Sequence, residues 1–207
     1  MKAPDPRLRF DETFADLEEV PRAFLRGDTV RAARGLIGAW IARRHEGHWY
    51  GARIVETEAY LGRDDPAAHS CGGRRTPRVE PMYRDGGHLY VYLVYGMHHC
   101  ANVVTRTEGL AEAVLLRAAE GPAGTPEKLL SGPGRLCRAL GITTAASGLD
   151  LRAGGEVRLA RGPARPRAIR ATPRIGVAYA GEAARWPLRF FDARSRAVSG
   201  PARLNRA

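Results

Sequence analysis

Residues 49–61 read WYGARIVETEAYL. Side chains of a strand point alternately to its two faces. Here Val55, Thr57, Ala59 and Leu61 fall on one face, and Ile54, Glu56, Glu58 and Tyr60 on the other. The period predicts a strand. It also sets two carboxylates, Glu56 and Glu58, on one face with Cα atoms roughly 6.5–7 Å apart. If that face is covered, their closeness raises at least one of the two pKa values. A covered carboxylate that titrates near neutrality is a general base for water. A solvated strand face is the commoner fate of such a pattern, and spacing alone favours it.

Upstream, Asp28 can cap a helix through Val30, Ala33, Leu36 and Ile37, which Gly38 interrupts before a strand at 40–44. Downstream, residues 62–87 are rich in glycine, proline and charge and read as one long loop, a kind of segment that is usually functional in a compact domain. HLYVYLVY (88–95) reads as a strand, Gly96 permits a turn, and 97–105 is the return strand. A third apolar run covers 112–119, and GPGRLCRAL (132–140) is a loop entering a short helix. Strand-like pieces follow at 156–160, 174–179 and 187–191, separated by the stretch RGPARPRAIRATPR. There is no internal repeat and no regular βαβ alternation. The prediction is a single α+β domain over 1–207, with 1–20 and 194–207 as flexible basic ends.

The chain has 207 residues, 44% hydrophobic and 27% charged, an ordinary balance for one globular domain. The charge is not ordinary. A net +11 points to a polyanionic partner. All but two of the basic residues are arginine, the exceptions being Lys2 and Lys128. No run of apolar residues is long enough to span a bilayer, no basic amphipathic helix favours a membrane surface, and the N-terminus does not read as a signal peptide. Nucleic acid is the better polyanion. Three cysteines without CxxC spacing read as reduced thiols. The expected location is cytoplasmic, of bacterial type and nucleoid-associated.

Several side chains carry possible chemistry. His69 can be an acid, a base, a ligand or a stacking plate, although a loop histidine bonded to backbone is commoner. His98, His99 and Cys100 are neighbours on a strand, so they point to opposite faces and cannot converge on one ion; no metal is expected. Tyr90 and Tyr92 share a face, where a core stripe is the bland reading. Tyr95, immediately before Gly96, would stand at a turn tip as an aromatic wedge able to push between stacked bases. Arg74, Arg75 and Arg78 cluster in GGRRTPR, where they can fork onto phosphates or simply be solvated. There is no G-x-S-x-G elbow and no P-loop. No lysine lies within 53–117, so an amine nucleophile is missing there. Any reaction on nucleic acid is then direct attack by water.

Together these blocks resemble one family. VETEAYLGRDDPAAHSCGGRRTPR (55–78), GHLYVYLVYGMHHCANVV (87–104) and AVLLRAAE (113–120), followed by GPGRLCRALGI (132–142) and RIGVAYAGEAARWPLRFF (174–191), are similar in order and spacing to the alkyladenine (3-methyladenine) DNA glycosylases. The resemblance implies a monofunctional glycosylase of base-excision repair that flips damaged purines out of duplex DNA. It implies no cofactor, a monomer, and an open, barrel-like, mostly antiparallel curved sheet with flanking helices, like the C-terminal module of formyltransferases.

Carried over position by position, the resemblance makes Glu58 the catalytic base. Tyr60, His69 and Tyr92 become the aromatic walls around the base, Asn102 the group that clashes with the guanine 2-amino group, and Arg117 a pocket arginine. Tyr95 becomes the intercalating wedge with Met82 beside it, and Arg74 and Arg78 become phosphate contacts. Candidate substrates are 3-methyladenine, 7-methylguanine, hypoxanthine and ethenoadenine. One departure stands at 79–83, where Glu80 and Pro81 replace the family's usual basic pattern. The alternatives are a non-catalytic basic nucleic-acid-binding module, which has no need of Glu58, and a metal-dependent nuclease using Glu56, Glu58, Asp64 and Asp65.

Overall fold

The strand read from residues 49–61 runs from His48 to Tyr60 and is the axis of the fold. This is seen in a computed structural model that describes residues 1–10, 17–152, 154–162, 166 and 168–205. In chain order the helices are α1 (Arg22–Leu25), α2 (Thr29–Gly35) and α3 (Pro133–Leu140). The strands are β1 (Trp40–His45), β2 (His48–Tyr60), β3 (Leu89–Val94), β4 (His98–Thr105), β5 (Glu112–Glu120), β6 (Val157–Ala160), β7 (Ile169–Thr172) and β8 (Arg189–Asp192). The strands form one antiparallel sheet in the order β3-β4-β5-β2-β1-β6, with β8 also on β2 and β7 on β8. The sheet does not close on itself, and the fold is the α+β arrangement expected.

Local chemistry accounts for the elements. The Asp28 carboxylate accepts from the Arg31 amide at 2.7 Å and starts α2. A Cβ on Gly35 would lie 2.5 Å from the tip of the Phe24 ring, so the ring of α1 packs directly over this glycine of α2. Helix α2 lies on β2 and β5, and α3 on β4 and β5. Between them Leu36, Ile41, Ile54, Leu89, Leu116, Leu136 and Leu140 form the main core. Each such aliphatic side chain contributes about 1.5–3 kcal/mol by its burial. Among the described residues no helix is long and apolar enough to cross a membrane.

Strand β2 changes partner halfway. Arg53 still pairs with Trp40 of β1, whereas Glu56 to Glu58 pair with Phe191 to Arg189 of β8. On its other edge the register with β5 slips twice at that point: Val55 is skipped on β2 and Arg117 on β5. Such bulges bend a strand and re-aim side chains. Here the bulge reverses the alternation. Ile54 and Ala59 both belong to the main core, while Val55 packs with Ala118 and Ala197 on the other side. The simple period had placed Ile54 with Glu56; the bulge separates them. It also leaves no solvated face, because Glu56, Thr57 and Glu58 are all buried.

Two other segments differ from the sequence reading. Residues 174–179 are not a strand; the strand in this region is β7, inside the arginine- and proline-rich stretch. The reason is where the polar groups go. Arg174 is drawn to Asp65 and to the Ala59 carbonyl, and the Ile175 amide is spent on the Glu58 carboxylate rather than on a neighbouring strand. The ends expected to be loose carry fixed contacts. Leu8 is buried, as are Ala197 and Ser199, and Ala202–Asn205 makes a 3-10 turn. The parts of those ends at 11–16 and 206–207 lie outside the described residues.

Candidate active site

A cleft of about 390 Å³ opens between the 62–87 loop, the β3–β4 hairpin, β5 and residues 175–179. Of the residues singled out in the sequence, Tyr60, His69, Arg78, Met82, Tyr92, Tyr95, Asn102 and Arg117 line it. Glu58 lies behind this wall, wholly buried, and Arg74 stands outside it, exposed.

The bulge aims the carboxylates of Glu56 and Glu58 towards this side of the sheet, where their partners differ. Glu58 Oε1 accepts from the Ile175 amide at 2.7 Å and faces Arg117 Nη1 at 3.3 Å. Its Oε2 accepts from the Tyr60 hydroxyl at 3.0 Å. All three partners belong to residues of the cleft wall. Glu56 is held by Arg117 Nε at 3.0 Å, Arg189 Nε at 2.6 Å and the Ser199 amide at 2.7 Å. Burial pushes the Glu56 carboxyl up, but Arg117 and Arg189 together outweigh it and hold the group below its ordinary 4.5. Crowding was expected to raise a carboxylate; for Glu56 two guanidiniums reverse the sign. Burial also works against the Arg117 charge, and Glu58 and Glu56 more than offset it.

The four acidic residues weighed as metal ligands do not converge. Glu56 belongs to the arginine network and Asp65 is paired with Arg174. Among the described residues no group of three His, Cys, Asp or Glu side chains gathers.

The walls of the cleft are aromatic. His69 Nδ1 and the Tyr90 hydroxyl are 2.9 Å apart, and the His69 and Tyr92 rings meet edge to face with centroids at 4.5 Å. Burial, then the charges of Arg78 and Arg74, lower the His69 pKa, so its ring is neutral at neutral pH. Burial, then the Glu58 charge, push the Tyr60 phenol well above its ordinary 10. It therefore keeps its proton and donates to Glu58. Asn102 Nδ2 donates to the Tyr90 carbonyl at 3.0 Å, which fixes the orientation of the amide inside the cleft.

At the hairpin tip both Tyr95 (φ 51°) and Gly96 (φ 68°) adopt left-handed backbone, the signature of a tight mirror-image turn. Tyr95 is 88% exposed there. Met82, expected beside it, lines the same cleft but is 2% exposed, packed with Tyr90 and Val79, while Met97 is the exposed methionine next to the tip.

Comparison with known proteins decides what this architecture belongs to. The sequence model of the family described as Methylpurine-DNA glycosylase (MPG) matches residues 23–196. A protein of Desulfitobacterium hafniense, named as a candidate 3-methyladenine DNA glycosylase, is 43% identical over 88% of this chain and 99% of its own length. One of Bdellovibrio bacteriovorus with the same name is 45% identical over 83% of this chain and 94% of its own. The chain belongs to the methylpurine-DNA glycosylase family. It is a DNA glycosylase, a DNA-binding hydrolase of DNA repair.

In this glycosylase the loop arginines are not equivalent. Arg75 pairs with Glu80 at 2.6 Å and lies over the Tyr83 ring. The departure at 79–83 therefore neutralises one arginine within the loop, and Pro81 sits early in a 3-10 turn where its missing N–H costs nothing. Arg78 lies over the Tyr92 ring at 5.6 Å and donates to the Leu93 carbonyl, and Arg74 makes no ion pair among the described residues.

Sequence reasoning missed the residues that close the back and the far rim of the site. Ile175 supplies an amide to Glu58, Arg174 stacks over the Tyr60 ring at 4.7 Å, and Tyr179 stands 70% exposed at the rim. Arg189 and Ser199 complete the Glu56 network. Reading RIGVAY (174–179) as a strand hid the first three. A glycine between apolar residues and an arginine was the one available signal for a loop.

Proposed function

We propose that this glycosylase flips an alkylated purine from duplex DNA into the cleft and hydrolyses its N-glycosidic bond with water activated by Glu58. The observation that carries the reading is the setting of Glu58. It is a wholly buried carboxylate that accepts from a backbone amide and a phenol and is ion-paired with a guanidinium, at the back of an aromatic cleft. A carboxylate has about four lone-pair sites. One donor on each oxygen leaves acceptor sites unfilled for a water.

Extrusion costs a few kcal/mol, least for a damaged or badly paired base. Stacking on Tyr60, His69 and Tyr92 returns about 1–3 kcal/mol per stacked base. Tyr95 fills the vacated space in the helix. Arg74 and Arg78 hold phosphates. Asn102 excludes the 2-amino group of normal guanine. A purine alkylated at N3 or N7 is cationic while bound to the sugar and departs neutral, taking the electrons of the C1′–N bond. As that bond breaks, the Glu58 charge stabilises the oxocarbenium ion. The water oxygen bonds to C1′ and its proton passes to Glu58.

The test is base release in EDTA from methylated duplex DNA and from duplexes carrying one hypoxanthine or one ethenoadenine. Expected are free modified base by chromatography and strand breaks that appear only after alkali. Tight binding with no release from any substrate would return the chain to a damage-binding role.

A further inference from the structure

The Arg117 guanidinium is held at three points. Nε meets Glu56 at 3.0 Å, Nη1 meets Glu58 at 3.3 Å, and Nη2 donates to Ser199 Oγ at 3.1 Å. Ser199 comes from the C-terminal segment, beyond the residues that match the family, and is buried. Its hydroxyl in turn donates to Glu56 Oε1 at 3.0 Å, its amide donates to Glu56 Oε2, and its carbonyl accepts from Arg189 Nη2 at 3.1 Å. A serine hydroxyl has one donor and two acceptor positions, and here it links the arginine to the carboxylate. The same segment presses on the other holder of Glu58: a Cβ on Gly200 would come within 2.9 Å of Ile175 Cδ1.

We infer that Ser199 is a positioning residue for hydrolysis: it fixes the plane of Arg117 between Glu56 and Glu58 and so keeps Glu58 in its reacting geometry. A planar guanidinium with three partners cannot rotate. With two, it can turn about its side-chain bonds and leave Glu58 without its positive neighbour. The loss would fall on the chemical step, because Ser199 does not line the cleft. This inference rests on Glu58 being the reactive carboxylate.

The experiment compares wild type, Ser199→Ala, Ser199→Thr and Glu58→Gln under single-turnover conditions on methylated duplex DNA. Affinity for a duplex with a tetrahydrofuran abasic analogue and thermal unfolding are measured alongside. Losing one hydrogen bond to a charged group predicts a single-turnover rate for Ser199→Ala roughly tenfold below wild type. Duplex affinity stays within about twofold on the same argument. Ser199→Thr, which keeps the hydroxyl, recovers most of the rate. A wild-type rate in Ser199→Ala would overturn the inference. So would a loss of rate matched by equal losses of affinity and stability, or one that Ser199→Thr does not recover. If Ser199→Ala does not fold, Ser199→Cys is read by the same criteria. Retained excision by Glu58→Gln would instead remove the reading of Glu58 itself, whatever Ser199 does.

Discussion

Glu56 and Glu58 are both wholly buried on one strand, two residues apart, yet their surroundings divide their work. Glu56 is surrounded by Arg117, Arg189 and Ser199 and has no oxygen to spare. Glu58 has a single guanidinium and two donors from the cleft wall. Glu58→Gln should therefore cut excision by about 10²–10⁴-fold, the usual contribution of a general base, while lesion-duplex affinity by anisotropy stays near wild type. Glu56→Gln acts on stability. It leaves two buried arginines short of a counter-charge, which should cost about 3–5 kcal/mol in urea unfolding at neutral pH. The sign of the pH dependence follows from the lowered folded-state pKa. The contribution is complete above the ordinary 4.5 and is lost as pH falls through the lower folded value. The stability gap between wild type and Glu56→Gln should narrow on acidification below 4.5.

At the scale of elements, the β3–β4 hairpin and the β2–β5 bulge illustrate opposite degrees of legibility. The hairpin is local: Tyr-Gly between two alternating runs specifies its own turn, and the exposed tyrosine follows. Its left-handed φ carries a modest backbone cost for a side chain. Tyr95→Gly should thus stay within about 1 kcal/mol of wild type in stability. The same variant should lose lesion-duplex affinity by about tenfold, the lower range of one stacking contact. A parallel fall in stability would show that the tip is structural instead. The bulge, by contrast, left no mark on the alternation of WYGARIVETEAYL. It arises where β2 exchanges β1 for β8 on one edge, and a strand cannot announce its partners in its own sequence. The fate of Met82 has the same cause. A 3-10 turn tucks it under Tyr90, and nothing in its neighbours along the chain distinguishes inward from outward.

For the whole molecule, the net +11 favours a long-range attraction to DNA, and on the proposed reading the unpaired arginines near the cleft would convert it into phosphate contacts. Arg74→Ala and Arg78→Ala should each flatten the slope of log K against log salt by about one. Arg75→Ala should change it little, because Glu80 already neutralises Arg75. Equal effects from all three would show that the loop contributes only its net charge. The sequence by itself determined the axial strand, the capped helix α2, the hairpin with its tyrosine tip, the short helix α3 and the basic character. Each of these depends on residues within a few positions of one another, whose backbone preferences and spacing are set locally. Only the tertiary structure decided which glutamate is enclosed by arginines and which is held by the cleft wall, because Ile175, Arg189 and Ser199 arrive from 117 to 143 positions away. A buried charge takes its behaviour from whatever the fold brings within a few ångströms, and strand periodicity carries no record of that.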